Sequence, residues 1–130
     1  MSTTGNPDLP PATPEAMQAL LTPSPTDREG AIERGVAVFR TIGSPGFPFD
    51  EKMLREQAAR AYDRCFHPLG MVRQLAAILA SGSRKEKLGA VKLPALVIHG
   101  GADPLVPLAG GQDTAAAIPG AELLVIEGMG

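Results

Sequence analysis

Residues 93–107 read LPALVIHGGADPLVP. Within this stretch Ala95, Leu96, Val97 and Ile98 form an unbroken apolar run, the pattern expected of a parallel strand covered on both faces. A loop follows from His99 to Pro107, and the pattern then turns helical over Gly110–Ile118. Pro119 and Gly120 break that helix, and Glu122–Ile126 reads as a second strand. Strand, helix and strand occupy about thirty residues, the size of one right-handed crossover unit, which brings both strand ends to the same edge of a sheet. Ligand chemistry in open parallel sheets gathers at that edge. His99, Gly100, Gly101 and Asp103 are therefore the first residues to test for function.

Upstream of this unit the signals are helical. A short helix is expected over Arg84–Gly89. Before it, a helix after Pro68 buries Met71, Leu75, Ile78 and Leu79 and stops at Ser81 and Gly82. Asp50 caps the most clearly amphipathic segment, with Leu54, Ala58, Ala61, Tyr62 and Cys65 inward and Arg55, Glu56, Arg60 and Asp63 outward. Thr26 and Glu29 stand at capping-box spacing before a helix over about 28–42, with Ile32, Val36 and Phe39 on one stripe. Six prolines between residues 1 and 25 make the lead-in mostly extended loop. Thr13 and Pro14 can still start one short helix there, carrying Met17, Leu20 and Leu21 as far as Pro23. The expected organisation is a Pro-rich lead-in at 1–27, a helical cap-like region at 28–92 and a β-α-β part at 93–130.

The chain has 130 residues, with 12 Lys plus Arg against 14 Asp plus Glu, a formal charge of -2 that offers no electrostatic footprint for nucleic acid or anionic lipid. All the Lys and Arg fall between Arg28 and Lys92, where solvated helix faces account for them. Cys65 is the single cysteine, so no intrachain disulfide forms. With no signal sequence or membrane span in view, a cytoplasmic protein is expected. Two histidines without a third clustered ligand make no metal site, and the glycine pairs at 100 and 110 fit neither a dinucleotide fingerprint nor a P-loop. No cofactor is expected. Met17, Met53 and Met71 read as apolar filler.

His99, Gly100, Asp103, Val106 and Pro107 resemble the loop after the penultimate sheet strand of the alpha/beta-hydrolase family, where the pattern His-Gly-x-x-Asp-x-x-Val-Pro carries the acid of a catalytic triad. The resemblance implies that Asp103 is the triad acid. Ile118 to Gly130 is similar to the family's final strand, after which the catalytic histidine follows in relatives. Tyr62, Asp63, Arg64, His67, Pro68, Gly70, Arg73 and Gln74 resemble the cap helices of small serine ester hydrolases of the methylesterase kind. Met1 to Gly5 resembles the end of the strand that precedes such a cap. The fold class implied is α/β: a helical cap segment followed by the last strand-helix-strand unit of an alpha/beta-hydrolase sheet, an incomplete fold.

Such hydrolases place their nucleophile on a Gly-x-Ser-x-Gly elbow, and none of Ser2, Ser24, Ser44, Ser81 or Ser83 has that setting. The expectation is a fragment of a carboxylic ester hydrolase, truncated at both ends and inactive alone, whose complete form takes a small-molecule ester. An oxyanion loop at His99, Gly100 and Gly101 is excluded, because no serine follows it. His99 reads instead as a hydrogen-bonded strand-end residue, and His67, beside Pro68, as a helix-start or cap packing residue. Asp103 has a second reading, as the side chain that closes a turn before Pro104. The alternative from another class is a non-catalytic interaction module that binds another chain, or itself, through the helices or an open sheet edge.

Overall fold

The computed structural model describes residues 3–130. Its elements run α1 (Pro14–Leu21), α2 (Arg28–Ile42), α3 (Glu51–Arg64), α4 (Leu69–Ser81), α5 (Lys85–Leu88), β1 (Leu96–Gly100), α6 (Leu108–Ala117) and β2 (Glu122–Ile126). Met1 and Ser2, the start of the expected pre-cap strand, lie outside the described residues. Thr3 to Gly5 pair with no strand among the described residues. They are held by Arg84 instead, whose amide donates to the Thr4 carbonyl at 2.7 Å and whose Nη2 donates to the Thr3 carbonyl at 3.0 Å.

Capping chemistry sets the helix starts. Thr13 accepts from the Ala16 amide with Pro14 in the first turn of α1, and Asp50 accepts from the Met53 amide at the start of α3. The cap of α2 is Asp27, whose Oδ1 accepts from the Gly30 amide at 2.8 Å. The capping box expected from Thr26 and Glu29 is therefore displaced by one residue, since an Asp directly before the first helical residue is the better acceptor.

The helical region packs along α2. Its buried apolar side chains are Ile32 and Val36, joined by Ala16 of α1, and Gly35 lets the helix come close to Ala58 of α3. Of the side chains expected to face outward, Arg55 turns to the helix seam, while Asp63 stays exposed at its rim. Arg55 reaches Glu29 at 2.7 Å and Glu33 at 2.6 Å, and Asp63 takes a two-pronged bond from Arg28 at 2.7 and 2.8 Å. Long polar side chains at the edge of a helix contact lay their stems over it and pair at the tip. Ala61 and Cys65, expected inward, are exposed. The helix after Pro68 forms as expected, but its apolar stripe is not buried: Ile78 is 62% and Leu79 76% exposed. Among the described residues no helix or strand packs closely on that face of α4; Leu20 and Leu21 of α1 stand opposite Met71, Leu75 and Ile78 across an open cleft.

The carboxyl-terminal unit matches its sequence closely. Strands β1 and β2 pair in parallel from Leu96 opposite Glu122 to Gly100 opposite Ile126, with α6 as the crossover. Gly111 and Thr114 are buried on the side of α6 toward the sheet, and Gly110 against Thr3 and Val106. A Cβ at Gly111 would come within 2.7 Å of the His99 ring, so glycine is what allows helix and strand to approach. Coverage of the sheet on both faces is not found. Leu96 and Ile98 remain 56% and 54% exposed, because successive strand side chains alternate and α6 covers only the face that carries Val97 and His99.

A polar anchor joins the lead-in to this unit. Asp113 of α6, only 13% exposed, accepts from Lys85 and Thr4, each at 2.5 Å. These two donors, the Lys85 ammonium first, hold the Asp113 carboxyl below its ordinary range. A carboxyl whose folded value lies below its unfolded one adds stability above the unfolded value and loses it as the pH falls through the folded value. Asp113→Asn is accordingly expected to flatten the fall of the melting temperature from about pH 5 down through the carboxylate range near pH 4. Thermal unfolding of both proteins across that range checks it, and parallel curves would remove the anchor.

Candidate functional site

The turn after β1 is built by backbone bonds to the segment after β2. The Gly101 amide donates to the Ile126 carbonyl and the Ala102 amide to the Met129 carbonyl, each at 2.9 Å. A Cβ at Gly100 would strike the Met129 backbone, so glycine is required for this approach. Asp103 follows directly. Its Oδ1 accepts from the Leu105 amide at 2.8 Å and the Val106 amide at 2.9 Å. The turn role read from the sequence is thus present in full. No hydrogen bond to Oδ2 is formed among the described residues.

His99 is buried at 8% exposure. Its Nε2 lies 2.8 Å from the Val106 carbonyl oxygen. A carbonyl can only accept, so the proton sits on Nε2 and the ring serves as a donor that holds the far end of the same loop. His99 and Asp103 border a common cleft without bonding to each other. His67 is exposed before α4, where its carbonyl accepts from the Gly70 amide. Among the described residues no histidine pairs with a serine, and no cluster of three or more His, Cys, Asp or Glu residues can hold a metal ion. No helix is long and apolar enough to cross a membrane.

Asp103 also lines a cavity of about 360 Å³ between the β1 loop and the link from α2 to α3. Phe39, Phe47, Phe49, Met53, Ser44 and Gly130 share that lining. The Gly130 amide donates to Ser44 Oγ at 3.0 Å, and the Gly46 amide to the Gly128 carbonyl at 2.8 Å. Residues 43–50 therefore form a strap pinned to the chain just beyond β2. The sequence reading did not foresee this wall: it placed Phe39 in a helix stripe and assigned Phe47 and Phe49 no role. The available signal was that three of the chain's four phenylalanines fall between residues 39 and 49.

No protein-family model matches the sequence. The chain is similar to the rhodomycin D methylesterase DnrP of Streptomyces peucetius, at 33% identity over 118 residues that cover 89% of the chain and 39% of that protein. Its fold matches the esterase RhEst1 from Rhodococcus sp. ECU1013 with a TM-score of 0.58 and 25% identity, over 88% of the chain and 40% of that structure. The meta-cleavage product hydrolase CumD from Pseudomonas fluorescens IP01 aligns with a TM-score of 0.61 and 19% identity, over 100% of the chain and 46% of that structure, a likeness of fold. The chain thus spans less than half the length of each of these relatives. Its helical region is followed by a parallel strand-helix-strand unit, and with the methylesterase similarity the match to these hydrolases leads to one conclusion: the chain carries part of an alpha/beta-hydrolase fold and is similar in sequence to esterases of that family.

Proposed function

We propose that these 130 residues supply the substrate-covering cap (28–92) and the acid-bearing part (93–130) of a serine esterase that cleaves carboxylic esters by acyl transfer to water. The observation that carries this reading is the position of Asp103, at the strand-end edge of the β1-α6-β2 unit and in the wall of a cavity it shares with Gly130. The similarity to a methylesterase supports the ester as substrate.

The chain's own share of the chemistry would be electrostatic. Oδ1 of Asp103 is committed to two loop amides, which orient the carboxylate and leave Oδ2 to accept from an imidazole. A carboxylate so placed selects the correct tautomer of a catalytic histidine and stabilises the imidazolium that forms when the serine is deprotonated. The serine and histidine would come from segments these 130 residues do not contain, since no Gly-x-Ser-x-Gly elbow occurs in them. A second role, association with another copy or chain, is favoured by the exposed sheet face at Leu96, Ile98 and Leu124.

The 130 residues alone are expected to hydrolyse p-nitrophenyl esters no faster than a non-enzymatic protein and to escape labelling by a fluorophosphonate. Stoichiometric labelling of one serine would refute this.

Stability separates the two jobs of Asp103. Asp103→Ala removes the acceptor of two amides and should cost about 1–3 kcal/mol in urea unfolding, whereas Asp103→Asn keeps an oxygen for them and should cost much less. Equal losses would mean that charge, not the turn, is what the fold uses.

The catalytic assignment is tested in a fusion that joins the chain to the remaining upstream part of the rhodomycin D methylesterase and places a histidine after Gly130. Esterase activity is expected, and Asp103→Asn should lower turnover on the order of 10⁴, the size seen for the serine-protease acid. His99→Gln should cost far less, since its ring holds only the loop. Activity within about tenfold after Asp103→Asn, roughly 1.4 kcal/mol of barrier, would leave Asp103 a turn residue only.

A further inference from the structure

Val106 is gripped from both sides. Its amide donates to Asp103 Oδ1 at 2.9 Å, and its carbonyl accepts from His99 Nε2 at 2.8 Å. One residue thus stands between the imidazole and the carboxylate, and whatever fixes it fixes the direction from which Oδ1 is held. The other amide on Oδ1, from Leu105 at 2.8 Å, belongs to the same turn and brings no restraint from outside it. His99 does bring one, because it lies on β1 and holds the last carbonyl before Pro107 and α6. The Val106–Pro107 peptide has no N–H, so the bond from His99 is the one hydrogen bond that this peptide makes among the described residues.

The ring is seated as firmly as it is bonded. A Cβ at Gly111 would come within 2.7 Å of the His99 Cγ and 2.9 Å of its Cβ and Nδ1, so α6 presses on the Cγ–Nδ1 side while Nε2, on the far side of the ring, reaches Val106. Helix α6 is itself fastened, through Asp113, to Thr4 and Lys85. With 8% of the residue exposed, the ring has little room to turn. Among the described residues Nδ1 makes no hydrogen bond and no carboxylate pairs with the imidazole. The fold therefore uses one N–H donor at a fixed point and neither the charge nor the basicity of the ring. A glutamine amide carries such a donor, whereas a phenylalanine ring fills similar space with none.

We propose that His99 is a positioning residue that, seated on Gly111, aims the Asp103 carboxylate by holding the Val106 carbonyl. For its effect on turnover this role rests on the reading of Asp103 as the triad acid; the hold on the carboxylate stands on the loop geometry alone. Aim matters because a misplacement of about 1 Å at a reacting group costs up to about 10²-fold in rate. His99 touches no reacting atom, so its loss lowers turnover and leaves substrate affinity alone. Any side chain that returns the donor restores the aim.

Amide hydrogen exchange in the 130-residue chain reads the hold directly. Leu105 and Val106 report the carboxylate; Gly101 and Ala102, bonded to the Ile126 and Met129 carbonyls, report the turn without it. His99→Phe is expected to speed exchange at Leu105 and Val106 about three- to tenfold, the size of one hydrogen bond, with Gly101 and Ala102 unchanged. His99→Gln should restore both. Gly111→Ala reaches the same bond by displacing the ring, although alanine is the better helix former, and it carries the comparison if His99→Phe fails to fold. Imidazole nitrogen-15 shifts at alkaline pH should place the proton on Nε2. A proton on Nδ1, or exchange that rises equally at all four amides or at none, would overturn the proposal. In the esterase fusion His99→Phe should lower kcat about ten- to hundredfold with KM nearly unchanged, and His99→Gln should recover most of it. Unchanged kcat in a fusion that depends on Asp103 would sink the aiming role and spare the triad. Loosened Leu105 and Val106 amides where the fusion tolerates Asp103→Asn would uphold the hold on the carboxylate and sink the triad.

Discussion

The hydrogen bonds from the Gly101 and Ala102 amides to the Ile126 and Met129 carbonyls tie the turn after β1 to the chain after β2. Parallel pairing ends at Gly100 opposite Ile126, so without these two bonds each strand would leave the sheet independently. With them, the two strand ends become one rigid edge, and Asp103 is placed by backbone geometry before any side chain takes part. The carboxylate then tightens the same turn through Leu105 and Val106, and His99 closes it from below through the Val106 carbonyl. Most of the polar groups around Asp103 are thus spent on position.

The helical region is held by weaker means. Its ion pairs lie at the surface, where the Arg28–Asp63 partners are 49% and 55% exposed, and pairs of that kind contribute little each. Its buried apolar side chains are few and small. What locates α2 and α3 relative to the sheet is the strap between them, fastened to residues 128–130 by backbone and serine contacts. The aromatic cavity therefore takes its shape from the same chain segment that fixes the Asp103 turn.

Local rules were sufficient wherever a residue acts on its near neighbours. Asp50 and Thr13 cap as their spacing implies, and the strand-helix-strand order from residue 96 to 126 follows from an apolar run, a Pro-Gly break and a second run. The turn function of Asp103 was legible for the same reason, since the amides that donate to it lie two and three residues away. Burial was not legible to the same degree. Periodicity identifies an apolar face but not its partner, so the stripe of α4 and the Leu96–Ile98 face read as core yet stand open. Arg55 was misplaced because a helical wheel cannot tell solvent from the rim of a neighbouring helix. The aromatic wall was missed because Phe39 lies on a helix and Phe47 and Phe49 in a turn, and only the return of residues 128–130 brings them together with Asp103.

Gly46 and Gly128 touch through their backbones: a Cβ on either would come within 2.8 Å of the other's Cα, and Gly128 holds a φ of +70° that other residues resist. A joint made of main chain alone is indifferent to the side chains on either side of it. Residues 47 to 49 can therefore drift in size and polarity while the joint holds, which lets a lineage reshape the cavity wall without rebuilding the scaffold. The constraint falls on the glycines in return. A change at one has no compensating change at the other, so the pair is expected to stay invariant where its neighbours vary.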